Sequence, residues 1–152
     1  MLLPAYEEWL ERLEATYRSV AFCGVHRLGD RALAEQVSAQ VVEGLIAKPQ
    51  VFRYWGLPYS GRIAHLAEAL IAQASEGTLR EGRDWPTLLT DLRGVPVDQQ
   101  EVFVLICVEG HDDARLASAL GCDEDEARRR RERMATLWDG VLAGSAHARQ
   151  GD

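Results

Sequence analysis

The stretch Cys122–Met134, CDEDEARRRRERM, sets four acids, Asp123 to Glu126, almost directly before Arg128, Arg129, Arg130 and Arg131, with Arg133 behind them. Guanidinium groups can hold phosphate oxygens or base edges through charge-assisted, often bidentate hydrogen bonds. On a helix the same groups also lie one turn from acids, pairing Glu124 with Arg128, Asp125 with Arg129 and Glu126 with Arg130. Three uses follow: nucleic-acid contact through Arg128, Arg129 or Arg130, a self-paired solvated face, or a face for a protein partner. Four consecutive residues point to all sides of a helix, so only one or two of these arginines share a groove.

Other residues carry less chemistry. Cys107 and His111 are four apart, with Cys122 further on, but a fourth ligand and the usual zinc spacing are missing. A buried cysteine and a capping or surface histidine are expected there. The aromatic run FRYW, residues 52–55, suits a plug for a helical bundle; the alternative is base stacking. There is no Gly-rich phosphate loop, no Ser/His/Asp grouping and no carboxylate pair in a pocket-forming context. No enzyme, catalytic residue, metal or cofactor is expected.

The elements that must position these residues are helical. In residues 5–26, Tyr6, Leu10, Leu13, Tyr17, Val20 and Gly24 recur at three-or-four spacing. Leu28-Gly29-Asp30 breaks that helix, and Asp30 is a good N-cap for the next, residues 31–47, with Leu33, Val37, Val41 and Leu45 on one stripe. Pro49 ends it. A third helix is expected over 59–74 and a linker within 74–84. A short helix follows, with Asp84 near its cap. Asp98 to Glu109 forms a wide apolar helix stopped by Gly110, and Asp112 caps a short helix ending at Gly121. The last helix runs from Asp123 to Leu142 through Ala127, Met134, Leu137, Trp138 and Val141. Tyr6, Trp9, Tyr17 and Trp138 are expected in the core. There is no β alternation. The fold class is all-α: two small helical bundles, residues 1–73 and 97–143, joined by a linker at 74–96 with a flexible tail at 144–152.

Charge is unevenly shared. The 152-residue chain is 47% hydrophobic and carries net charge −7. Residues 1–73 contribute −1, residues 74–96 another −1, and residues 97–152 −5. Non-specific DNA affinity depends on neutralising phosphates, so the acidic balance opposes it. Three scattered cysteines without a C-x-x-C fit a reducing compartment. With no leader and no membrane-length apolar run, a soluble cytoplasmic protein without a membrane partner is expected.

DDARLASALGCDEDEARRRRERM meets the steric demands of a helix-turn-helix: Ala117 where the helices cross, Gly121 in the turn, apolar residues on both sides. The longer stretch VPVDQQEVFVLICVEGHDDARLASALGCDEDEARRRRERMATLW resembles region 4 of extracytoplasmic-function sigma factors, and residues 5–73, with YRSVAFCGVHRLGDRALAEQVSAQVVEGLI, resemble region 2. The two matches fall in the family's order and cover roughly three quarters of the chain. The resemblance implies a transcription-initiation regulator that docks on RNA polymerase core, with Leu33, Glu35, Gln36, Gln40 and Glu43 as the residues that bind polymerase or an anti-sigma factor. Promoter DNA would be bound through Asp123, Arg128, Arg129, Arg130 and Arg133. VVEGLIAKPQVF and ICVEG are also similar to the sigma-mimic domains of general-stress response regulators, which implies the alternative: a binding module for an anti-sigma factor or other regulatory protein that does not read DNA.

The initiation-factor reading comes first, because the resemblance covers both regions in order; the departures from the family pattern count against it. Leu33 and Gln36 stand where the family commonly has acids. No basic residue follows Arg62 in the third helix, where the family carries the segment that opens promoter DNA. His111 and Arg131 replace apolar residues. With Arg131 in a core position, the last helix must rotate, snorkel that side chain along its stem, or bury its apolar face mainly from Met134 onward. Acids Asp123 to Glu126 suit a helix N-terminus but repel phosphate.

Overall fold

Each helix boundary has a local cause. In the computed structural model, residues 1–47 and 61–150 are described, with side chains to residue 143. Helix α1, Pro4–Leu28, begins at a proline, whose missing N–H costs nothing at that position. It ends at Gly29, which takes φ 67° and returns its N–H to the Val25 carbonyl. Asp30 caps α2, Arg31–Ala47, by accepting the Leu33 N–H at 3.1 Å. The expected stop at Pro49 and the aromatic run 52–55 lie outside the described residues. Helix α3 spans Gly61–Glu76, passing the expected end at 74, so the non-helical connector begins at Gly77.

Asp84 accepts the Thr87 N–H at 2.9 Å and starts α4, Trp85–Arg93. Helix α5, Val97–Phe103, continues into a wider π-turn, Val104–Val108. The sequence read this stretch as one regular helix; its nearly all-round apolar pattern, VFVLICV, does not report a change of winding. Asp112 caps α6, Asp113–Leu120, through the Arg115 N–H, and Gly121 closes it at φ 70°. Helix α7, Glu124–Gln150, is longer than the expected helix ending at Leu142, and residues 144–150, expected as a tail, continue it. All regular elements among the described residues are helical, consistent with the all-α expectation. None is long and apolar enough to cross a membrane.

The helices α1 and α2 approach closely where Gly24 faces Ala34: a β-carbon on residue 24 would lie 3.0 Å from the Ala34 β-carbon. Buried residues from 1–73 and from 97–143 belong to one cluster. Its centre is aromatic. Phe103 of α5 stacks on Trp138 of α7, with centroids 4.4 Å apart, and Trp9 of α1 meets Phe103 edge-on at 4.6 Å. Tyr6 adds a second edge contact to Phe103 at 5.9 Å. These offset and edge arrangements suit aromatic quadrupoles. Tyr6, Trp9 and Trp138 are buried as expected, while Tyr17 is half-buried.

The polar tips in this core reach across the chain. Tyr6 donates its hydroxyl to the Leu92 carbonyl at 2.7 Å, and Trp138 donates its indole N–H to the Ile46 carbonyl at 2.7 Å. Gln100 is fully buried; it accepts the Leu3 N–H at 2.9 Å and donates to the Val95 carbonyl at 2.8 Å. A buried polar group without such partners would destabilise the fold.

Candidate functional site

The charged start of α7 is held by its own acids. Asp123 is the N-cap and accepts the Glu126 N–H at 2.8 Å. Glu126 takes Arg129 at 2.8 Å and Arg130 at 3.2 Å. Hydrogen bonds from Arg129 and then Arg130 hold the Glu126 carboxyl below its usual range, and the same contact raises Arg129. Arg128 lies 3.2 Å from Asp125 and 3.6 Å from Asp113 of α6. Of the three expected four-residue pairs, only Glu126 with Arg130 forms; Arg128 and Arg129 turn instead to acids three residues back.

The interhelical partner Asp113 was missed in the sequence, although it sits in the first turn of α6. Its carboxylate takes Arg131 at 2.8 Å as well as Arg128. That pairing answers the question set by Arg131: its head stays at the surface, and α7 buries Ala127, Met134 and Trp138. Arg133 is exposed and borders a small mixed-charge cleft with Asp98, Glu101 and Arg130. Asp123, Arg128, Arg129 and Arg133 are exposed and Arg130 half-buried, so among the described residues the first half of the chain does not cover this surface.

The second set of candidates lies on α2. Leu33 packs at the margin of the core, whereas Glu35 and Gln36 are exposed. Gln40 donates its side-chain amide to the Arg80 carbonyl, and Glu43 lies 3.9 Å from Arg83. These five residues therefore do not form one open patch: the connector occupies the Gln40–Glu43 end. Between Glu35 and Gln36 on one side and residues 82–86 on the other is a cleft of about 340 Å³. Tyr17 and Trp85 stack beside it with centroids 5.3 Å apart. Burial, then the charges of Glu35 and Asp84, raise the Tyr17 phenol above its ordinary value.

Cys107 is buried in the π-turn, and Cys122 and His111 are half-buried. His111 Nε2 lies 3.7 Å from the Glu109 carboxylate. Among the described residues, no three His, Cys, Asp or Glu side chains converge as a metal site. No family model, curated protein or solved structure matches the chain.

Proposed function

We propose that this chain is a sigma-like regulatory module that engages a protein partner, an anti-sigma factor or similar regulator, and does not read promoter DNA. The observation that carries this reading is the shared core: Trp9, Phe103 and Trp138 close the two halves on each other. A DNA-reading initiation factor has to present both halves separately to polymerase and promoter, whereas a sequestered or mimic state has them packed. The paired arginines of α7 add to this. Each of Arg128, Arg129 and Arg130 would exchange an existing carboxylate for a phosphate, beside acids that repel the same backbone.

Titration of a promoter-length duplex at two salt concentrations tests the reading. The chain is expected to give no salt-dependent binding, alone or with RNA polymerase core. Binding that falls steeply with salt and weakens further in Arg128→Ala or Arg129→Ala would overturn it.

A second reading has one observation in its favour. The start of α7 is solvent-facing, which leaves it open to a groove. On that reading the chain is an initiation factor that docks on RNA polymerase core through α2 and reads promoter DNA through Arg128, Arg129, Arg130 or Arg133. The same titration separates the two.

A further inference from the structure

The connector between α3 and α4 crosses the face of α2, Leu33 to Glu43, that the sequence resemblance gives to a protein partner. Gly77, at φ 77°, turns the chain out of α3, and the Thr78 N–H returns to the Gln73 carbonyl. The connector then runs without helix or strand to Trp85. Its hold on the rest of the molecule comes from side chains. Leu79 packs at the edge of the core, Gln40 donates to the Arg80 carbonyl, and Trp85 stacks on Tyr17. Glu81 and Gly82 face solvent.

Arg83 is the exception to this loose attachment. Its side chain is only 3% exposed. The guanidinium hydrogen-bonds the Asp91 carboxylate of α4, donates to the Val141 carbonyl of α7 at 3.0 Å and lies 3.9 Å from Glu43 of α2. One buried cation thus ties three helices through an otherwise irregular segment. Taking a buried guanidinium out of such a set is costly, whereas the rest of the segment has the features of a low-stability unit.

We infer that residues 77–84 are a strap over the Gln40–Glu43 end of α2 and that Arg83 is its latch. A partner that binds this end must displace the strap, so its apparent affinity is reduced by the fraction of molecules in which the strap is shut. This inference rests on α2 being the partner face, but the latch is testable without a partner, so the two ideas fail separately.

The test places a thiol under the strap. In full-length Glu43→Cys, which gives up the 3.9 Å contact but keeps the Arg83 ties to Asp91 and Val141, alkylation by iodoacetamide is followed by peptide mapping, with Arg83 intact and with Arg83→Met added. Buried Cys107 of the core is the internal control. The expected result is alkylation at position 43 about tenfold faster with Arg83→Met, while Cys107 stays protected. Asp91→Asn, which removes one tie and leaves the cation, gives a smaller acceleration with Cys107 protected. Equal rates at position 43 in all three backgrounds overturn the inference. So does a joint rise at position 43 and Cys107, because Arg83 would then support the whole fold rather than latch one segment.

Discussion

The aromatic centre and the charged start of α7 use the same helix in opposite ways. Around Trp138, contacts join residues far apart in the chain: the indole reaches Ile46 and the ring stacks on Phe103. Around Glu126 the partners are three and four residues away, apart from Asp113 on the neighbouring helix, and the groups face water. Desolvated long-range contacts close the molecule; local solvated ones contribute little to closure and are weakened by salt. The start and the middle of α7 therefore separate surface chemistry from stability, and changes at each should differ in kind.

The sharpest test is Trp138→Ala. It removes the stacking partner of Phe103 and leaves the Ile46 carbonyl without its donor. Buried aromatic-to-alanine changes cost about 3–5 kcal/mol. Urea unfolding of the variant should show a midpoint much lower than that of the parent chain. A midpoint unchanged from the parent would mean that the halves do not depend on this contact.

Tyr6→Phe probes the same centre more gently. Losing the hydrogen bond to Leu92 should cost about 1 kcal/mol near neutral pH. Burial raises the Tyr6 phenol above its ordinary value. The neutral form is thus the one the fold prefers: its stability is fully present below the unfolded value of about 10 and is lost as pH rises towards the folded value. The parent chain should lose stability above that point, and Tyr6→Phe should lose less over the same rise. Parallel alkaline curves for the two proteins would contradict this.

The cap at Asp123 lies between the two regions in expected size. Asp123→Ala should cost about 1 kcal/mol, and Asp123→Ser much less, because serine can still accept the Glu126 N–H. Equal losses in a thermal melt would show that charge at this position matters more than capping.

What could be read from the sequence follows the same division. Asp30, Asp84, Asp112 and Asp123 act within four residues of themselves, so their capping roles follow from type and position. Gly29 and Gly121 likewise end helices by taking positive φ. The three ties of Arg83 to Glu43, Asp91 and Val141 do not follow from periodicity, because two of them bring together residues far apart in sequence. Asp113 illustrates the intermediate case. Its place on α6 was readable, but which arginine it holds depends on how α6 and α7 pack, and that sends Arg131 outward from a position where the resemblance expects a core residue. For α2, the candidate face was legible as a helix stripe, whereas its cover was not: residues 77–84 have no pattern that says which surface they lie against.

The smallest effect should come from Glu126→Gln, which weakens the contacts to Arg129 and Arg130 while keeping size and helix propensity. Because those arginines hold the Glu126 carboxyl below its ordinary value, its contribution is present above the unfolded carboxylate value and is lost as pH falls through the folded one. Parent and variant should therefore differ slightly at neutral pH and low salt, and converge both in strong acid and in 1 M salt, where the Debye length shrinks to about 3 Å. Thermal melts across that grid give the answer. A gap that survives 1 M salt would mean that the Glu126 contacts are more than screened surface ion pairs, and that the start of α7 contributes to closure as Trp138 does.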